Sequence, residues 1–109
     1  MSVKPVQPSV RASADVRDAV DFYLDAGVPA AANGFVDALQ ATYRLIGLHP
    51  GIGSSFYAHE LDVPGLRSRA LAKYPYLVFY LERTDRIDVW RVLHQSRDLP
   101  TLLQRPEKP

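Results

Sequence analysis

Cysteine is absent from the 109 residues. Its absence excludes disulfides, thiol nucleophiles and cysteine-ligated zinc. Histidine is scarce, with only His49, His59 and His94. None has zincin or zinc-finger spacing, so no metal site is expected. No apolar run approaches the ~20 residues of a membrane helix, and Met1 to Pro5 do not resemble a secretion signal. A cytoplasmic protein without membrane contact is the expectation. No glycine-rich phosphate loop follows a strand, since Gly51-Ile52-Gly53 is too short and wrongly placed. No Gly-x-Ser-x-Gly elbow and no paired carboxylates stand out. No cofactor is therefore expected. An excess of one charge is lacking too: 13 basic residues face 12 acidic ones, a formal net of +1. That balance does not fit a bulk nucleic-acid binder, and no direct specific nucleic-acid binding is expected.

What is present suits one folded unit. The chain is 47% hydrophobic and 23% charged, values that exclude wholesale disorder. We expect a single domain over residues 1–104 and a frayed tail over 105–109. Val6 to Arg11 reads as a short strand, kept near an edge by Pro8. Ser13 reads as an N-cap with Asp15 in the first helical turn. Val16, Ala19, Val20, Tyr23 and Leu24 form an apolar stripe at helical spacing, and Asp15, Asp18, Asp21 and Asp25 lie mostly off it. Gly27 stops this helix, and Pro29 opens a second one that runs to about Leu48. The short connector predicts an antiparallel helical hairpin. Residues 50–65 read as a loop. Leu66 to Lys73 alternates with period two. Tyr76 to Leu81 reads as a central strand, and Arg86 to His94 as its hairpin partner. Asp98 to Leu103 reads as a short helical turn limited by Pro100. The fold class is α+β in the order β-α-α-β-β-β, with the helical hairpin on one face of a small, mostly antiparallel twisted sheet.

Charge divides along the chain. Through Leu66 four basic residues face seven acidic ones, a net of −3; from Arg67 to Arg97 seven face three, a net of +4. Arg67 and Arg69 share one face of their strand. Two adjacent guanidiniums invite an anion or an acidic partner, or the aspartates of the first helix. Arg91, in a strand next to the sheet centre, needs a partner or an exit to solvent. It faces away from Trp90 and from His94 unless a bulge intervenes. His94 suits a structural histidine bonded to the chain.

Five segments, in order, resemble one family. They are Ala14-Asp15-Val16 with Ala19, Val20 and Tyr23; His49-Pro50-Gly51-Ile52-Gly53; Val63-Pro64-Gly65-Leu66-Arg67; Tyr74 to Tyr80; and Arg91-Val92-Leu93-His94-Gln95-Ser96-Arg97-Asp98. Together they resemble the ParE branch of the RelE/ParE toxin superfamily over roughly residues 6–100. The resemblance implies the toxin of a bacterial type II toxin–antitoxin pair, with the same helical hairpin on a sheet. It implies a small ParD-like antitoxin as partner and DNA gyrase as target, without hydrolytic activity. RelE-like relatives instead cut mRNA on the ribosome. For that activity Arg69, Arg91 and His94 are the candidate catalytic residues here. Gln95 stands where nuclease-type members often end in tyrosine, and the second helix carries only Arg44. These features favour the gyrase-directed branch, with no catalytic residue. A third possibility is an inactive structural domain. Arg91, His94, Gln95, Ser96 and Arg97 are the expected target contacts, and Arg67, Arg69 and Lys73 the expected antitoxin contacts. The sheet face opposite the helices is expected to be partly open and basic, carrying Arg67, Arg69 and Arg91.

Overall fold

The computed structural model describes residues 3–96. The expected helical turn at Asp98 to Leu103, the expected contact Arg97 and the tail at 105–109 lie outside them. The elements run β1 (Val6–Pro8), α1 (Val10–Asp25), α2 (Pro29–Leu48), a 3-10 turn (Pro50–Ile52), α3 (Phe56–Leu61), β2 (Leu66–Ala70), β3 (Tyr76–Glu82) and β4 (Ile87–His94). The sheet order is β1-β4-β3-β2. β2, β3 and β4 are antiparallel, and β1 joins β4 in parallel.

α1 begins earlier than Ser13 predicts. Ser9 is the N-cap: its Oγ accepts from the Ala12 N–H at 3.0 Å and donates to the Trp90 carbonyl at 2.9 Å, while its own N–H reaches the Val89 carbonyl. One residue thus ends the pairing of β1 and opens the helix, satisfying donors that would otherwise be orphaned. Asp15 consequently sits in the second turn, not the first. At the far end Gly27 takes φ +78° and donates to the Leu24 carbonyl, a left-handed stop that glycine adopts without penalty. α2 starts on Pro29 and packs its Phe35, Leu39 and Ile46 inward. Gly47 lets it meet the N-terminal segment, since a Cβ there would lie 2.7 Å from the Lys4 carbonyl oxygen.

Two cores sandwich the sheet. The larger holds Phe35, Leu39 and Ile46 of α2 against Val78, Tyr80, Ile87, Val89 and Val92. The smaller, on the opposite face, holds Leu66, Phe79, Leu81 and Leu93 with Val63, covered by Tyr57, Ala58 and Leu61. α3 therefore occupies ground expected to be loop, and it caps a face expected to be partly open. β2 is also shorter than expected: Leu71 leaves the strand before a turn in which Lys73, exposed, takes φ +68°.

The register corrects the placement of the arginines. Arg67 lies opposite Tyr80 and Arg69 opposite Val78, and both partners point into the helix-side core. Directly opposed residues share a face. Arg67 and Arg69 therefore stand on the helical-hairpin side, at its rim on the edge strand, and not on the reverse face. The reverse face is apolar under α3.

Candidate functional site

β4 carries an irregularity that decides the site. Tyr80 pairs with Val89, yet Phe79 pairs with Arg91, so Trp90 is an extra residue. Trp90 and Leu93 pack on the α3 side, whereas Val89 and Val92 pack on the hairpin side. A bulge of this kind breaks strict alternation and re-aims side chains. Arg91, just past the bulge, reaches α1. There Nε donates to Asp15 Oδ2 at 2.7 Å and Nη2 to Oδ1 at 2.8 Å, a bidentate pair. The Val92 N–H also donates to Asp15 Oδ2, at 3.0 Å. Arg91 is 9% exposed, and each side chain of the pair is 10% exposed. The hydrogen bonds that the guanidinium donates to Asp15 hold its proton more tightly than usual, outweighing the opposing effect of burial. Arg91 is thus sealed and neutralised by an aspartate of the first helix. The expectation that it belongs to an open basic face is corrected, and the reason is the carboxylate of Asp15, which holds the guanidinium. Asp15, expected off the buried stripe, lies on it between Ala12 and Ala19, both buried. Those two small residues at a spacing of seven, with an acid between them on one face, are the sequence signal that marks the pocket for Arg91.

Tyr43 stands near this pair. Burial, and then the charge of Asp15, push its phenol up to about 12. Its Oη is buried and has no hydrogen-bond partner among the described residues.

Beyond Arg91 the strand ends in a tight turn. His94 Nδ1 accepts from the Ser96 N–H at 3.0 Å and lies 2.7 Å from Ser96 Oγ. Its ring meets Tyr76 edge-on, with centroids 5.1 Å apart. Gln95 N–H donates to the Pro75 carbonyl at 2.8 Å, tying the turn to the start of β3. Gln95 and Ser96 are exposed. The turn borders a groove of about 370 Å³ shared with α1, whose walls include Asp18, Ala19, Phe22, Tyr76, His94 and Ser96. Phe22 is 62% exposed. It was not singled out in the sequence, because an aromatic just off an amphipathic stripe looks ordinary until the groove beside it is seen.

Arg67 and Arg69 occupy the other end of the sheet. Arg67 Nη1 donates to the Gly53 carbonyl at 2.8 Å. Among the described residues neither arginine pairs with a carboxylate. Tyr80 clamps the same turn: its hydroxyl donates to the Pro50 carbonyl at 2.7 Å and accepts from the Gly53 N–H at 2.9 Å. Burial raises the Tyr80 phenol, while that hydrogen bond and the charges of Arg67 and Arg69 pull the other way. The His49-Pro50-Gly51-Ile52-Gly53 segment is thereby explained. A Cβ on Gly53 would lie 2.6 Å from the Tyr80 hydroxyl and 3.0 Å from the Arg67 Cβ. Arg83 and Arg86, in contrast, are both paired with Asp88.

Arg69, Arg91 and His94 do not converge. Arg69 lies in register with Val78, and Val78 with Val92, so Arg69 stands two strand spacings, roughly 10 Å, from β4. Among the described residues no cluster of three or more metal-binding side chains forms, and no helix is long and apolar enough to cross a membrane.

Three helices on a four-stranded mixed sheet, with the last strand bulged against the first helix, define an α+β class found among solved structures. One match, titled "Chromosomal ParDE TA system from P. aeruginosa", has a TM-score of 0.69 at 19% identity and covers 84% of this chain and 96% of that one. No curated protein matches the sequence. Residues 6–99 match the family described as "ParE toxin of type II toxin-antitoxin system, parDE". The chain belongs to that family of toxins.

Proposed function

We propose that this toxin acts by binding DNA gyrase, not by cutting RNA, and that a ParD-like antitoxin neutralises it. Family membership supports the toxin half of the reading. The observation that carries the rest is the Asp15–Arg91 pair. Cleavage through a 2′-hydroxyl calls for a cation free to meet the charge that develops on phosphorus. The best-placed cation is locked to a carboxylate, Arg69 is distant, and His94 Nδ1 is already engaged by Ser96. The arrangement suits a rigid contact surface better than an acid–base centre.

In this reading His94, Gln95 and Ser96 present the contact turn, with Phe22 beside them as an apolar anchor of the kind that concentrates binding energy. Arg91 acts from beneath: with Asp15 it fixes the bulge and so the direction in which the turn leaves the sheet. Arg67, Arg69 and Lys73 serve the antitoxin.

The test is gyrase supercoiling of relaxed plasmid with the purified protein added, run beside mRNA cleavage on programmed ribosomes. Loss of supercoiling with accumulation of cleaved plasmid is expected, and messages should stay intact. Cleaved messages with unaltered supercoiling would overturn the reading. Phe22→Ala and Gln95→Ala should weaken gyrase inhibition while leaving the far-ultraviolet circular dichroism of the free protein unchanged.

A further inference from the structure

The described residues end at Ser96, on the wall of the groove beside α1. The other walls are mainly apolar: Ala19 and Phe22 come from α1, Tyr76 and Val92 from the sheet. Phe22 lines the groove while 62% exposed. A large apolar side chain at the mouth of a groove marks a docking place more strongly than a scattered surface residue does. Two acids share the groove. Asp15 is committed to Arg91 and to the Val92 amide, whereas Asp18 forms no ion pair among the described residues. The groove therefore suits apolar side chains accompanied by a cation. The residues that follow Ser96 have that chemistry: Leu99, Leu102 and Leu103, with Arg97 before them and Arg105 after. Six residues of extended chain span up to about 20 Å, so Leu102 can reach Phe22 from Ser96.

We propose that residues 97–109 fold back into this groove as the chain's own cover. Leu99, Leu102 and Leu103 pack against Phe22 and Tyr76, and Arg105 meets Asp18. The tether favours this occupant over a free one. A segment joined at Ser96 acts at an effective concentration in the millimolar range, so that weak apolar contacts suffice to hold it. A second copy of the chain has no such advantage. Most of the segment lies beyond the family match, which ends at residue 99. In the preceding reading Phe22 is the apolar anchor for the target, and one part of the proposal rests on that: the target must displace the cover to reach Phe22. Such a cover lowers the apparent affinity by the fraction of molecules in which the groove is open. The docking itself does not depend on the identity of the target.

Because the chain has no cysteine, Gln104→Cys in the full chain provides a single thiol for a nitroxide label. The label should broaden the amide signals of Asp18, Ala19 and Phe22, and leave those of Ala58, His59 and Glu60 on the reverse face sharp. Adding Leu102→Ser and Leu103→Ser to the labelled chain should abolish the broadening, and Asp18→Lys should reduce it. No broadening at Phe22, or equal broadening on both faces, would overturn the proposal. Broadening of an isotope-labelled chain by a separate nitroxide-bearing chain would overturn it too, because the groove would then be a contact between copies. In the supercoiling assay the unlabelled double serine variant should inhibit at about three- to tenfold lower concentration than the wild type, since the open fraction no longer limits binding. An unchanged or higher concentration would overturn the covering role. Absence of inhibition by both proteins would sink the gyrase reading instead, and the nitroxide measurement would still decide the docking.

Discussion

Two arginine sites at opposite ends of one sheet are built on contrary principles. At β4, Arg91 is withdrawn from water, held bidentately by Asp15, and backed by a backbone donor on the same carboxylate. At β2, Arg67 and Arg69 lie at the rim with one carbonyl contact between them and, among the described residues, no carboxylate. A buried pair specifies geometry at little net gain, but removing one member strands the other. A rim pair contributes little to folding and remains available to a partner. The same residue type therefore sets the shape of the contact turn in one place and offers charge in the other.

The largest effect that would break this comparison belongs to Asp15. Asp15→Ala leaves Arg91 buried without its carboxylate and should cost about 3–5 kcal/mol in urea denaturation. A loss below about 1 kcal/mol would mean that Arg91 escapes to solvent. Replacing both members with apolar residues, Asp15→Leu with Arg91→Met, should recover much of that loss, because an unpaired buried charge is the costly element. Gyrase inhibition should stay impaired in the double variant, because the anchor of the bulge is gone.

Gly53→Ala comes next. It drives a Cβ against the Tyr80 hydroxyl and Arg67 at once, and should cost about 1–3 kcal/mol. It should also weaken partner binding, because it loosens the turn on which Arg67 rests. A stability loss with unchanged binding would separate Arg67 from its turn.

Tyr43→Phe should have the opposite sign. The phenol is raised to about 12 by burial and by Asp15, and its oxygen lacks a partner among the described residues. Removing an unsatisfied buried group should stabilise the fold by up to about 1 kcal/mol at neutral pH. Above pH 10 the unfolded chain ionises this phenol while the folded chain holds its proton. The wild type should therefore lose on the order of 2 kcal/mol as pH rises from 10 to 12, and the phenylalanine variant should not. Parallel alkaline limbs for the two proteins would show that Asp15 and its surroundings are wetter than described.

The smallest effect is at Asp88. Burial works against its charge, but hydrogen bonds and charge from Arg83 and Arg86 win and hold the carboxyl below the usual range. Its contribution is present above the ordinary carboxylate range and fades as pH falls through the lowered value. Asp88→Asn should slightly flatten the acid limb of a stability–pH curve, because the loss vanishes at low pH and is full, though small, at pH 7. A large change there would place this surface cluster alongside Asp15.

The helices and the central hairpin were legible because their periods are long and clean. Val16 to Leu24 repeat at helical spacing, Gly27 and Pro29 punctuate, and Tyr76 to Leu81 is continuously apolar. α3 was not legible, since six residues offer too short a stripe and it has no side-chain cap. The alternation at Leu66-Arg67-Ser68-Arg69 revealed that the arginines share a face, but not on which side the helices lie. That follows from pairing with Tyr80 and Val78, a contact distant in sequence. The bulge at Trp90 has no glycine to announce it, and the partner of Arg91 stands 76 positions away. Local patterns carry the elements; the site depends on pairings that only the assembled sheet defines.

The parallel pairing of Val6–Pro8 with Ile87–Val89 has a consequence for synthesis. The first strand can find its place only when Ile87 and the residues after it have been made. Closing a loop of that length comes late and makes the whole slow to form. An interrupted translation product would lack its sheet's second strand, and with it the counter-charge for Asp15, so prematurely terminated fragments should be harmless to the cell that makes them.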